Sequence, residues 1–136
     1  MEKKQGSAGT LSRVYELTIN GKFPTRNEYD KTQRGNKYSG NRMKHDYQKL
    51  CEWQIRQQLR NVKICGKVKV HVICYEDSYR RDLDNIGAFF FKVFLDALVR
   101  CKVIRSDNTK NVIHLSSTVA YDKRRPRTEV IIEEVR

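Results

Sequence analysis

Apolar and polar residues alternate from Arg13 to Asn20, with Tyr15, Leu17 and Ile19 on one side and Val14, Glu16 and Thr18 on the other. That period of two predicts a half-buried strand, ended by Asn20-Gly21. From Asn41 to Val62 the period changes. Met43, Tyr47, Leu50, Cys51, Ile55, Leu59 and Val62 form one helical stripe, with Asn41 as the expected N-cap and Trp53 off the stripe. Gly66 to Glu76 alternates again, with Val68, Val70, Val72 and Cys74 inward and Lys67, Lys69 and His71 opposite. Asn85 to Arg100 predicts a second helix, apolar nearly all round except for the line Lys92, Asp96 and Arg100. A helix so apolar needs cover on more than one side, and in a short chain this suggests a subunit interface.

Two further strands follow. Val112 to Tyr121 carries Ile113, Leu115, Ser117, Val119 and Tyr121 on one face, and Thr128 to Val135 carries Val130 and Ile132. Between them lies the basic turn Asp122-Lys123-Arg124-Arg125-Pro126-Arg127. The order β-α-β-α-β-β predicts an α+β fold: a single domain over residues 13–136, with helices packed on one mixed β-sheet. Residues 1–12 are polar and read as a disordered N-terminal tail.

A length of 136 residues suits one domain with a real core. Charge changes the picture more. The chain has 28 Lys and Arg against 16 Asp and Glu, a formal net charge of +12, which favours a polyanionic partner. No apolar run is long enough for a membrane span, and Met1 to Ser7 lacks the core of a signal peptide. Cys51, Cys65, Cys74 and Cys101 form no metal-ligand pattern and read as reduced thiols of a cytoplasmic protein.

The polar segment Gly21 to Gly40 reads as a long loop, with Lys22, Arg26, Lys31, Arg34 and Lys37 interleaved with Phe23, Tyr29 and Tyr38. Basic groups for phosphates and aromatic rings for stacking fit nucleic-acid binding, although a solvated loop has the same composition.

Against this basic background Glu76, Asp77, Asp82 and Asp84 fall within nine residues, beside Arg80 and Arg81. In an extended segment Asp82 and Asp84 share one side, which suits Mg²⁺ or Mn²⁺. Capping of the following helix would account for one of the two. Asp107, in the polar connection after that helix, is a third candidate ligand if the chain doubles back.

The combination Arg81-Asp82-Leu83-Asp84-Asn85-Ile86, Lys92 with Asp96-Ala97-Leu98, and Asp107 eleven residues after Asp96 resembles the RusA family of Holliday-junction resolvases. Phe23-Pro24-Thr25-Arg26-Asn27-Glu28-Tyr29 is similar to that family's Pro-x-x-Asn-x-Tyr segment. The likeness spans residues 14–134. It departs from the family pattern at three places: Ala88 and not Lys four residues after Asp84, Ser106 before Asp107, and Lys102 where Gly is common.

The resemblance implies a homodimeric, Mg²⁺-dependent endonuclease that resolves four-way DNA junctions by paired symmetric nicks in recombination and repair. Asp82, Asp84 and Asp107 would hold metal, and Lys92 would neutralise the phosphate or leaving oxygen. Lys22, Arg26, Asn27, Lys31, Arg34, Lys37, Arg42, Lys44, Arg80 and Arg81 would hold the DNA backbone. Two other readings stay open: a non-catalytic nucleic-acid-binding protein with the same fold, and a broader branched-DNA or flap nuclease.

Overall fold

The computed structural model describes residues 2–4 and 11–135, with side chains from residue 13 onward except those of Leu83 and Asp84. Five strands and three helices follow in the order β1 (Glu2–Lys4), β2 (Leu11–Asn20), α1 (Arg26–Gly35), α2 (Lys37–Gln58), β3 (Lys67–Glu76), α3 (Leu83–Arg100), β4 (Val112–Tyr121) and β5 (Arg127–Val135). The strands form one mixed sheet, ordered β1-β2-β5-β3-β4. β3 and β4 run parallel, joined by α3 as a βαβ crossover; the other strand pairings among the described residues are antiparallel. The expected α+β fold with one mixed sheet is therefore present.

Strand alternation follows the sequence. Val68, Val70, Val72 and Cys74 of β3, Val130 and Ile132 of β5, and Leu17 and Ile19 of β2 point into one core. Lys69 and His71 lie on the other face, where the His71 ring meets Ser116 Oγ at 2.7 Å and Thr118 Oγ1 at 3.2 Å. One β-bulge interrupts the β3–β4 ladder: Val68 faces Val112 but Lys69 faces His114, so Ile113 is skipped.

Three expectations change. The segment Gly21 to Gly40 is mostly helical. Its first helix starts in a capping box: Glu28 N–H donates to Thr25 Oγ1 at 3.0 Å and Thr25 N–H donates to Glu28 Oε1 at 2.7 Å. Tyr29 anchors α1 by packing on Phe89, with ring centroids 5.1 Å apart. A single buried aromatic per helix leaves no apolar stripe to read, which is why the segment looked like a loop.

The second change is the start of α2. Its cap is Asn36, whose side chain accepts from Tyr38 N–H at 2.9 Å, and not Asn41, which lies inside the helix. At the edge of the sheet Glu2–Lys4 pairs with Leu11 to Arg13; residues 1 and 5–10 of the expected tail lie outside the described residues.

The third concerns α3. Ile86, Phe89, Phe90, Val93, Phe94, Leu95, Ala97 and Leu98 are all buried within a single chain. Phe23 and Phe94 stand against Phe90 at 5.0 and 5.1 Å, and Tyr47 against Phe89 at 5.7 Å. The sheet below and α1 and α2 alongside supply the cover that seemed to demand a partner, so α3's apolar girth alone does not imply a dimer.

The C-terminus of α3 is closed by a Schellman motif: Val103 N–H donates to the Leu98 carbonyl at 2.9 Å and Lys102 N–H to that of Val99 at 3.0 Å. Lys102 takes the left-handed conformation there, with φ 62°. That backbone demand explains why glycine suits the position.

Candidate active site

One end of the molecule collects most of the candidate chemistry. The C-terminal ends of β2, β3 and β4 converge there with the N-terminal ends of α1, α3 and β5. Asp122 N–H donates to the Glu76 carbonyl at 2.8 Å, and Gly21 N–H to that of Pro126 at 3.4 Å. Lys22, Arg26, Asn27, Asp77, Tyr79, Arg80 and Asp82 are thus gathered at the same end as the turn Lys123 to Arg125.

Asp82 is the N-cap residue of α3, with φ −79° and ψ 139°, and it makes no side-chain cap hydrogen bond. Asp84 lies in the first turn of the helix. The two therefore do not share one side of an extended segment, as expected from sequence. An exposed carboxylate at an N-cap that is not spent on capping remains available to an external ligand. The Asp84 side chain lies outside the described residues.

Arg81, read from sequence as a DNA contact, is fully engaged within the protein. Its Nε and Nη2 donate to Glu76 Oε1 and Oε2 at 2.7 and 3.2 Å, Nη1 to Glu28 Oε1 at 2.9 Å, and Nη2 to the Phe23 carbonyl at 2.6 Å. The guanidinium ties β3, the segment before α1 and the first turn of α1 to the stretch that carries Asp82. Hydrogen bonds from Thr25, together with Arg81 and Lys22 nearby, hold the Glu28 carboxyl below its usual range.

The remaining expected cations differ in availability. Lys22 Nζ meets Asp77 at 3.1 Å, Arg26 meets Asp30 at 3.6 Å, and Lys44 meets Asp96 at 3.6 Å. Lys31, Arg34, Lys37, Arg42 and Arg80 are exposed, and Asn27 is exposed beside Arg26. Lys31 to Arg42 continue along α1 and α2, away from Asp82.

Lys92 and Asp107 are not brought to Asp82 within one chain. Lys92 lies ten residues along α3, about 15 Å up the axis, with its Nζ 5.1 Å from the centre of the Tyr29 ring. Asp107 follows the C-terminus of α3 and precedes β4, whose first residue pairs with Val68 near the start of β3. An 18-residue helix is about 27 Å long, so Asp82 and Asp107 stand at opposite ends of the sheet. Among the described residues no three His, Cys, Asp or Glu side chains converge on a metal position.

Two features escaped sequence reasoning. Tyr79 and Tyr121 stack with centroids 5.2 Å apart at an interplanar angle of 21°, and both are exposed beside Asp82. Their pairing depends on β4 lying parallel to β3, which puts Tyr121 opposite Glu76. The exposed cations Lys123, Arg124 and Arg125 flank the same end. Asp122 orders that turn: its Oδ1 accepts from Arg124 and Arg125 N–H at 3.0 and 3.2 Å, and its Oδ2 from Arg127 at 2.8 Å. Arg127, then the backbone donors, hold the Asp122 carboxyl below its usual range. The run of basic residues was visible in the sequence; its position was not.

A mixed α+β sheet with an acidic helix start inside a basic rim defines a candidate nucleic-acid-cleaving domain. The family pattern for Endodeoxyribonuclease RusA matches residues 21–133, most of the chain. The chain belongs to the RusA endodeoxyribonuclease family. No curated protein matches it. Among the described residues no helix is long and apolar enough to cross a membrane.

Proposed function

We propose that the protein is a divalent-metal-dependent endonuclease that resolves four-way DNA junctions, with a composite site shared between two copies. The observation that carries this reading is the exposed, uncapping Asp82 carboxylate at the N-terminus of α3, inside a ring of cations, in a chain of the RusA family. Asp82 and Asp84 of one copy would hold Mg²⁺, or Mn²⁺, together with Asp107 of a second. The separation of Asp82 from Asp107 within one chain favours that arrangement over a single-chain site.

The metal, when bound, supplies charge to stabilise the phosphoryl oxygens and orients water for attack. The chain's own groups do the rest. Arg80 and the Lys123–Arg125 turn hold phosphates on either side of Asp82, positioning the strand without reading its bases. The N-terminal N–H groups of α3 face the same region and favour an anion there. Stacked Tyr79 and Tyr121 offer an aromatic surface for a splayed base or sugar. Lys92 contributes to binding along α1, not to the phosphate at Asp82. Two sites related by a two-fold would nick strands of like polarity, which a four-way junction presents and a linear duplex does not. A role in DNA recombination and repair follows from that substrate.

The test compares cleavage of a labelled four-way junction, a flap and a linear duplex with and without Mg²⁺, with Asp82→Ala as control. The reading expects paired nicks in the junction only, lost in Asp82→Ala while junction binding persists. Junction binding with no product at any metal would favour a non-catalytic binding protein. Equal cleavage of flap and junction would favour a broader branched-DNA nuclease.

A further inference from the structure

The outer side of α2 carries a second concentration of positive charge, away from Asp82. Tyr38, Arg42, Lys49, Trp53, Arg56 and Arg60 follow one another at spacings of 4, 7, 4, 3 and 4 residues. Those spacings set them on one side of the helix line, Arg60 just beyond its end. All six are exposed, and the two rings strongly so, Tyr38 at 72% and Trp53 at 61%. The acidic residues of α2 are Asp46, on the same side, and Glu52, which is buried. Glu52 tethers two of the cations: its Oε1 lies 3.9 Å from Lys49 Nζ and 3.5 Å from Arg56 Nη2, and both remain more than half exposed. One stands before Trp53 and the other after it.

The cations continue past the helix. Two clefts that share Val103 open beside the C-terminus of α2. Arg56 and Arg60 line one, and Lys63, Lys102 and Arg105 line the other; among the described residues no Asp or Glu lines either. This end of the molecule holds the C-terminus of α3, about 27 Å along that helix from Asp82.

We infer that this track is a second DNA-binding surface, on which a duplex arm lies with phosphates on the cations and a deoxyribose against Trp53. The inference rests on the branched-DNA reading above and adds the place where an arm not held at Asp82 lies. Charge favours that occupant: the track attracts a polyanion and repels a second copy of a +12 chain. A lipid surface fits less well. Tyr38 and Trp53 are 15 residues apart, about 22 Å along α2, and two separated rings among cations make no apolar face to enter a bilayer. The indole itself is rigid and amphipathic. Lys49 and Arg56 stand about 6 and 4.5 Å from it along the axis, so a phosphate can be met on either side while the ring covers the sugar between.

Trp53 is the chain's single tryptophan, so its emission reports on this surface alone. A synthetic four-way junction is titrated into the full chain with Mg²⁺ withheld, so that the DNA stays intact. Binding should quench Trp53 emission and lower its accessibility to acrylamide about two-fold or more. Trp53→Ala should weaken junction binding about five-fold or more, as loss of an aromatic contact to a nucleotide does. The triple variant Arg42→Gln/Arg60→Gln/Lys63→Gln should reduce the slope of log affinity against log salt by about 2 to 3, with an unchanged circular-dichroism spectrum. Junction binding that leaves Trp53 emission and accessibility unchanged, with wild-type affinity in both variants, would overturn this surface and leave the branched-DNA reading intact. A blue-shifted Trp53 emission on anionic phospholipid vesicles, without a response to DNA, would overturn it in favour of a membrane. A wild type that binds no junction in a gel-shift assay would overturn both the surface and the reading on which it rests.

Discussion

Arg81 grips Glu76 with two parallel hydrogen bonds, Nε to Oε1 at 2.7 Å and Nη2 to Oε2 at 3.2 Å, where the two side chains are 15% and 6% exposed. The pair closes the end of β3 just before the chain turns into Asp82, and so makes Arg81 a structural clamp. Arg81→Ala should destabilise the fold by about 3 kcal/mol, since it strands a buried carboxylate, as read from urea unfolding. Arg81→Lys should recover only part of this, lacking the bidentate fork. Unchanged stability with weakened DNA binding would instead return Arg81 to the role of a phosphate contact.

The left-handed Lys102 should be a site of easy stabilisation. A non-glycine residue in that conformation costs about 1 kcal/mol, and Lys102→Gly keeps both Schellman hydrogen bonds. The expected result is a gain of about 1 kcal/mol in unfolding free energy at unchanged denaturant slope. A loss would mean that the lysine side chain contributes more than its backbone costs.

Acid should loosen the candidate site before the core. Glu28 and Asp122 are both held below their ordinary values of 4.5 and 3.8 by hydrogen bonds and neighbouring arginines. A carboxyl with a depressed folded-state pKa contributes stability that is present above its unfolded value and lost as pH falls through the folded one. Stability should therefore be level from pH 7 to about 5 and decline below about 4. Glu28→Gln and Asp122→Asn should each flatten that decline in unfolding curves recorded against pH. A decline equally steep in both variants would refute the assignment.

The turn Lys123 to Arg125 should contribute phosphate contacts. Replacing all three by Gln should weaken junction binding and reduce the slope of log affinity against log salt by about 2 to 3, near 0.9 per lost contact. Stability should hold, because Asp122 orders the turn through backbone N–H groups and Arg127. An unchanged salt slope would remove this turn from the interface.

Much of the fold was legible because its strands alternate cleanly and α3 is densely apolar. The strands from Lys67, Val112 and Arg127 begin within a residue or two of expectation. What escaped was α1, which is held by a capping box and one buried tyrosine and so has no stripe to detect. Asn36 was passed over for Asn41 for the same reason, since the first turn of α2 is largely exposed.

At the candidate site the sequence singled out Asp82 and basic residues, of which Lys22, Arg26 and Arg80 lie at the same end of the sheet. The backbone at Asp84 is helical and not extended, and Arg81, expected at the DNA backbone, bonds Glu76 and Glu28. The distance from Asp82 to Asp107 was invisible, because eleven residues after Asp96 says nothing about which end of the sheet a loop joins. That end is set by the parallel pairing of β3 with β4, a long-range choice. The same pairing makes the neighbourhood of Tyr79 and Tyr121, 42 residues apart in sequence.

The most direct measurement of the composite site is subunit mixing. Asp82→Ala and Asp107→Ala proteins, each inactive alone on a four-way junction with Mg²⁺, are unfolded together, refolded and assayed. A mixed dimer would carry both substitutions in one site and neither in the other. The account predicts recovered cleavage limited to a single nick per junction, in about half of the dimers if the subunits pair at random. No recovery, in mixtures shown by mass to contain the mixed dimer, would contradict it and place all the required carboxylates within one chain.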